Sequence, residues 1–175
     1  MEIKQANLGM LDDITALEQL VWREDSATPE SLRKRIEIFP ESFCAVYSNN
    51  KLVGMAMSAL LPKNHKVGEY EDLFFSWERV HNPKGKILYL YCSTTHPDFR
   101  FQGIWKKMLD FRLNYARNHS EIEKVWVAAR NKENEIGSNT AEPLKRFGFL
   151  FVKDILFKGQ YTQSLLELLR PYKIS

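Results

Sequence analysis

Residues 87–118 constrain the fold more than any other part of the 175-residue chain. They begin with the apolar run ILYLYCS, which is typical of a buried strand. The loop TTHPDFRFQG follows, and after Gly103 there is no glycine or proline until Gly137. Apolar residues then recur at helical spacing, at Ile104, Met108, Phe111 and Tyr115. We therefore predict a buried strand, a loop and a helix over residues 103–118.

The elements before this segment have clear local signals. We predict a short strand over residues 2–7, and then a helix whose apolar residues are Ile14, Leu17, Leu20 and Val21. Thr28 and Pro29 are typical of the N-cap and first turn of a second helix, which Pro40 ends. Two β-rich runs joined by Asn49-Asn50 predict a hairpin, because asparagine tolerates the positive φ of a tight turn.

The last part of the chain completes a mixed α/β pattern. We predict a strand over residues 124–129, and a short helix capped by Asn139 or Thr140 and ended by Gly148. A strand over residues 149–157 and a C-terminal helix with the sequence TQSLLELL follow. The predicted fold class is α/β, with a central mixed sheet flanked by helices. We predict one domain over 1–175, with a variable insert at 62–86 and a helical extension at 159–175.

Composition excludes several classes of protein. With 44% hydrophobic and 27% charged residues the chain does not resemble a disordered protein. No apolar run is long enough for a membrane span, and we predict a cytoplasmic protein without a membrane partner. Cys44 and Cys92 form no CxxC pair and the four histidines are scattered, so we predict no disulfide and no metal site.

The charge pattern favours an anionic ligand at one helix end. The net charge is +3, yet residues 100–117 alone carry five basic residues and one acidic residue. A helix N-terminus attracts phosphate, and Gly103 allows the backbone to approach a ligand closely. The alternative to a phosphate site is an ordinary loop followed by a helix whose basic residues face solvent. The apolar residues of this helix indicate packing on a core, which argues against a nucleic-acid partner.

One stretch resembles the GCN5-related N-acetyltransferase superfamily. Pro97-Asp98-Phe99-Arg100-Phe101-Gln102-Gly103-Ile104 is similar to the family's P-E-Y-R-G-x-G-I motif, and Leu144–Phe149 is similar to its Y-E-K-x-G-F segment. The resemblance covers residues 2–158 in element order. It implies the acyl-CoA N-acyltransferase fold and acetyl-coenzyme A as co-substrate.

The resemblance also implies which residues bind the co-substrate. A loop would hold the pyrophosphate through Arg100, Phe101, Gln102, Gly103, Ile104, Trp105 and Lys106. The backbone of the preceding strand would meet the pantetheine arm at Cys92, Ser93, Thr94 and Thr95. The sequence departs from the family pattern at three positions, where Phe101 replaces a glycine, Trp105 replaces a glycine or alanine, and Leu144 replaces the tyrosine that often protonates the leaving thiolate.

The resemblance implies an N-acetyltransferase that transfers the acetyl group by direct attack of an amine in a ternary complex. The acceptor would be a small molecule or a peptide. Candidates for the general base are Tyr89, Tyr91 and Glu78. The alternative function is a catalytically silent acyl-coenzyme A sensor or interaction module, favoured by Leu144 and Trp105. The acceptor is not identified, and a homodimer is left open.

Overall fold

The structure is a computed structural model that describes residues 1–65, 77–130, 140–157 and 161–170. Its strands are β1 (Glu2–Gln5), β2 (Cys44–Ser48), β3 (Lys51–Leu61), β4 (Ile87–Thr95), β5 (Lys124–Arg130), β6 (Leu150–Phe157) and β7 (Tyr161–Leu169). Its α-helices are α1 (Leu11–Trp22), α2 (Pro29–Ile38), α3 (Trp77–Val80), α4 (Ile104–Asn118) and α5 (Ala141–Arg146).

The strands described here form one seven-stranded sheet in the order β1-β2-β3-β4-β5-β7-β6. Strands β4 and β5 pair in parallel. The pairs β1–β2, β2–β3, β5–β7 and β6–β7 are antiparallel. The predicted mixed sheet with flanking helices is therefore confirmed. None of the helices in the described ranges is long and apolar enough to cross a membrane.

Two compact units share the chain, one of residues 1–58 with 92–115 and the other of residues 59–91 with 116–175. The single-domain assignment stays a prediction. In the first unit the local signals act as expected. The Thr28 hydroxyl accepts a hydrogen bond from the Ser31 amide at the start of α2. The β2–β3 hairpin turns at Asn49 and Asn50, whose φ angles are 49° and 61°.

Helix α4 packs on the hairpin inside the first unit. Its residues Ile104 and Met108 are buried in one cluster with four residues of β2 and β3, which are Cys44, Val46, Val53 and Ala56. Each additional buried aliphatic side chain of this size contributes about 1.5–3 kcal/mol relative to exposure. This packing fixes where α4 begins relative to β3.

The predicted C-terminal helix is wrong, because its residues form strand β7 in the second unit. Strand β7 pairs with β5 over Lys124–Arg130 and with β6 over most of its length. Leucine, glutamate and glutamine favour helix in isolation, but here the segment satisfies the backbone groups of two neighbouring strands. Leu165 and Leu166, which are consecutive, are both fully buried, so both faces of β7 are covered.

Candidate functional site

The C-terminal half of β4 has one edge turned toward β3. The Cys92 carbonyl oxygen and the Met57 carbonyl oxygen of β3 both accept from Nη1 of Arg112, at 3.3 and 3.4 Å. Four residues further along, the His96 amide donates to the Val53 carbonyl at 2.9 Å. Even-numbered residues of this segment therefore direct their backbone groups to the β3 side.

The odd-numbered residues of this segment direct their backbone N–H and C=O groups away from β3. In a strand, the N–H and C=O of one residue share an edge, and those of the next residue point to the opposite edge. Ser93 and Thr95 consequently present backbone donors and acceptors away from β3. Parallel pairing of β4 with β5 covers only Ile87–Tyr89, whereas β4 continues to Thr95. Among the four strand residues predicted to meet pantetheine, these two have the suitable backbone direction.

The loop that follows β4 is a strained turn leading into α4. Pro97–Phe99 form one turn of 3-10 helix, and the His96 Nδ1 accepts from the Asp98 amide at 3.3 Å. Phe101 and Gly103 then adopt positive φ angles of 63° and 76°. For a phenylalanine this left-handed conformation is unusual, and such strain is typical of functional loops.

Phe101 stands where the family motif has a glycine, and its left-handed φ brings Cβ close to its own backbone. Its side chain is 92% exposed, so the space around the ring is open. A Cβ added at Gly103 would have no atom of the described residues within 4 Å, so space is open among them on that side of the loop as well. The backbone before α4 is therefore accessible at both positions.

The charge predicted for this segment is only partly at the surface. Lys106 and Lys107 are exposed near the start of α4, and Arg100 is half-buried in the loop. Arg112, the fourth of the five basic residues, is 2% exposed and points into the interior of the first unit. Trp105 is half-buried, and Gln102 donates to the Asp98 carbonyl at 3.4 Å.

A second group of polar side chains lies where α1 approaches β4. The Trp22 indole N–H donates to the Thr94 hydroxyl oxygen at 2.8 Å, and the Cys92 sulfur lies 3.5 Å from the same oxygen. Glu18 is 4% exposed and accepts from the Ala27 amide at 3.2 Å. Burial raises the pKa of Glu18, and this shift is opposed by the Ala27 amide, by Arg35 and by the Thr94 hydroxyl.

The two cysteines are free thiols without nucleophilic character. Burial raises the pKa of Cys44 to about 11 and that of Cys92 to about 12. Each thiol is protonated at neutral pH, and a protonated thiol is a poor nucleophile. No cluster of three or more potential metal ligands occurs within residues 1–65, 77–130, 140–157 and 161–170.

The residues predicted as general bases belong to the second unit. Tyr89 is 1% exposed, and Tyr91, which is half-buried, meets it edge to face with ring centroids 6.2 Å apart. Glu78 is exposed on α3. Leu144, at the position of the family's acid, is buried in α5 at 2% exposure. The acidic insert residues Glu69, Glu71 and Asp72 lie outside the described residues.

Sequence reasoning missed Trp22, Glu18 and Arg112. For Glu18 and Arg112, the helical spacing of the sequence already indicates a buried position. Glu18 lies four residues after Ile14 and four before Trp22, which places it on the buried side of α1. Arg112 similarly lies four residues after Met108 and eight after Ile104. A charged residue in an apolar row of a helix marks a buried polar group.

The sequence profile of the Acetyltransferase (GNAT) family matches residues 11–149, and the chain belongs to this family. The family is one of acyl-coenzyme A dependent acyltransferases. Among curated protein sequences, none matches the chain significantly.

Solved structures give the same fold. The loading GNATL domain of CurA from Lyngbya majuscula is 21% identical, with a TM-score of 0.74 over 95% of this chain and 96% of that one. The GphF GNAT-like decarboxylase in complex with isobutyryl-CoA is 17% identical, with a TM-score of 0.77 over 97% and 99%. Arabidopsis thaliana Naa50 with a bisubstrate analogue, CoA-Ac-MVNAL, is 13% identical, with a TM-score of 0.66 over 95% and 96%.

Proposed function

We propose that the protein is an N-acyltransferase that moves an acetyl or related acyl group from coenzyme A to an amine. The observation that carries this proposal is the continuous segment from Ser93 to Lys106. It combines backbone groups at Ser93 and Thr95 that point away from β3, a turn with positive φ at Phe101 and Gly103, and the N-terminus of a 15-residue helix. Such a helix end suits the pyrophosphate of coenzyme A.

The chemical step needs few side chains. An unprotonated amine attacks the thioester carbonyl carbon, and the carbonyl oxygen becomes an oxyanion that accepts a hydrogen bond from the Ser93 amide. The C–S bond then breaks, coenzyme A leaves as a thiolate, and the nitrogen gives its extra proton to the general base or to water, which leaves a neutral amide. A thiol pKa near about 8.5 makes this thiolate a fair leaving group at neutral pH, so the reaction tolerates Leu144 in place of an acid.

The base remains a proposal. Of the three candidates, Tyr91 has the most suitable position, because it is only half-buried and lies two residues before Ser93 on β4. Tyr89 is enclosed by its neighbours. We expect Tyr91→Phe to reduce turnover more than Tyr89→Phe, with coenzyme A affinity unchanged in both. The cytoplasmic location and the homodimer also stay predictions.

The test of function is a screen for thiol release. The protein is incubated with acetyl-coenzyme A and with amines, peptides or aminoglycosides, and free thiol is measured together with the acetylated product. Acceptor-dependent thiol release supports the acyltransferase. Tight binding without turnover across all acceptors would favour a sensor.

The phosphate loop can be tested separately at Gly103. Gly103→Val should weaken coenzyme A binding, because valine avoids a φ of 76° although the surrounding space is open. Gly103→Asn is the matched control, since asparagine tolerates the left-handed conformation, and it should bind nearly as the parent protein does. Equal affinity of the valine variant would argue against this loop as the phosphate site.

A second candidate function keeps the thioester intact. GphF is described as a GNAT-like decarboxylase, and the buried Leu144 favours a reaction in which no thiolate leaves. In decarboxylation of a malonyl-type thioester, the bond to the carboxylate breaks, CO₂ departs, and the electron pair forms an enolate that takes a proton from water. Loss of CO₂ from malonyl-coenzyme A without thiol release would select this function.

A further inference from the structure

Arg112 is a buried cation whose contacts converge on β4. Its Nε donates to the Met108 carbonyl at 3.2 Å, and its Nη1 to the Met57 and Cys92 carbonyls at 3.4 and 3.3 Å. Its Nη2 donates to the Ser93 hydroxyl at 2.7 Å. The residue is 2% exposed. One guanidinium therefore contacts both residues of the Cys92–Ser93 peptide.

The buried positive charge of Arg112 is not explained by its hydrogen bonds alone. All four of these hydrogen bonds go to uncharged oxygens. Burial lowers the pKa of Arg112 to about 10, so the group still carries its charge at neutral pH. Removing a cation from water is costly, and a hydrophobic residue of similar volume is often as stabilising as a buried charge. If this position only filled space in the core, methionine or leucine could occupy it.

The orientation of the Cys92–Ser93 peptide suggests what the charge of Arg112 does. In a trans peptide the C=O and the N–H point in opposite directions. Arg112 binds the Cys92 oxygen on the β3 side, so the Ser93 N–H of the same peptide points away from β3. A cation on the carbonyl withdraws electron density from the peptide, and hydrogen-bonded groups in a chain polarise each other. The Ser93 N–H thereby becomes a stronger donor.

We infer that Arg112 is a positioning residue for acyl transfer, which fixes and polarises the Cys92–Ser93 peptide so that the Ser93 amide stabilises the thioester oxyanion. This inference rests on the proposed function. Arg112 acts through the peptide and does not itself touch the acyl group. Arg112 also donates a hydrogen bond to the Ser93 hydroxyl, which fixes the position of the Ser93 side chain.

The test measures polarisation of the bound thioester, without any acceptor. Acetyl-coenzyme A labelled with carbon-13 at the carbonyl is bound to the protein, and the carbonyl stretch is recorded by isotope-difference infrared spectroscopy. In the parent protein a strong donor should lower the stretching frequency relative to free ligand. In Arg112→Met and in Arg112→Gln the frequency should return toward the free value, while Arg112→Lys should keep part of the shift.

Arg170→Met is the matched control. Arg170 also donates to backbone carbonyls, those of Ile122, Ala116 and His119, so its loss removes comparable bonds elsewhere in the chain. It should leave the carbonyl frequency at the parent value. Circular dichroism identifies the variants that fold, and Arg112→Gln, which keeps an N–H donor, replaces Arg112→Met if the latter does not fold.

The outcomes separate the two claims. A full frequency shift in either folded neutral variant would overturn the role of Arg112 and leave the acyltransferase proposal standing. Absence of acetyl-coenzyme A binding by the parent protein would refute the proposed function and this inference with it. In turnover, we expect the neutral variants to lose kcat with KM for acetyl-coenzyme A little changed, by less than the roughly 100-fold cost of deleting an oxyanion donor.

Discussion

Gly54 on β3 is the position where one added methyl group should disturb the candidate site most. A Cβ at this residue would lie 2.5 Å from Cγ2 of Ile104 and 3.3 Å from Sδ of Met108. Ile104 is the first residue of α4 and is 1% exposed. Gly54→Ala therefore forces a methyl group between β3 and the end of the helix that we propose to bind pyrophosphate.

The loss of unfolding free energy in Gly54→Ala depends on which neighbouring atoms can move away from the added methyl group. The sulfur of Met108 can shift by rotation, but Cγ2 of Ile104 is attached at Cβ, and a β-branched residue in a helix has one strongly preferred χ1. The start of α4 must therefore move. Overpacking of this kind costs about 1–3 kcal/mol. For a chain of this size each kcal/mol lowers Tm by about 2–4 °C.

A double-mutant cycle isolates this contact. Free energies of unfolding are measured by urea titration for the parent, Gly54→Ala, Ile104→Ala and the double variant. Ile104→Ala alone should cost about 2–5 kcal/mol because it leaves a cavity. With the isoleucine gone, Gly54→Ala should cost almost nothing, which gives a coupling energy of about 1–3 kcal/mol. Coenzyme A affinity should fall in Gly54→Ala as well.

Two results would refute this reasoning. If Gly54→Ala unfolds with the free energy of the parent, the helix does not press on β3 as described. If the alanine costs the same with and without Ile104, the destabilisation arises from another contact of the added methyl group and not from Ile104.

Two further predictions concern the buried hydroxyl of Thr94 and the half-buried imidazole of His81. Thr94→Val removes the acceptor of the Trp22 indole N–H and should cost about 1–3 kcal/mol of unfolding free energy, whereas Thr95→Val, at a half-buried position, should cost less. Burial lowers the pKa of His81 below 6.5, so its contribution to stability is present above pH 6.5 and declines as the pH falls through the folded pKa. His81→Phe, which can keep the stacking on Trp77, should lose less stability on acidification than the parent, as thermal unfolding at several pH values would show.

The central strand, loop and helix were predictable because their signals are local. Gly103, the helical recurrence of Ile104 and Met108, and the Asn49-Asn50 turn act within a few residues of themselves. The sequence did not predict that Phe101 would adopt a glycine-like φ. A left-handed φ is costly for any residue with a Cβ, so the residue type alone gives no sign of this conformation.

Strand β7 was mispredicted because its conformation is decided by distant partners. Residues such as Leu165 and Leu168 fit a helix and a buried strand equally well, and the choice depends on β5 and β6, which need β7 to complete their hydrogen bonds. Arg112 was misread for a related reason. Its charge was counted with the surface lysines of α4, although its position in the row of Ile104 and Met108 places it in the core.

Isothermal titration of the protein with acetyl-coenzyme A tests the central claim most directly. If the segment from Ser93 to Lys106 is an acyl-coenzyme A site, the titration will show one saturable site, with weaker binding of acetyl-pantetheine, which lacks the pyrophosphate. No binding of acetyl-coenzyme A at millimolar concentration would contradict the account.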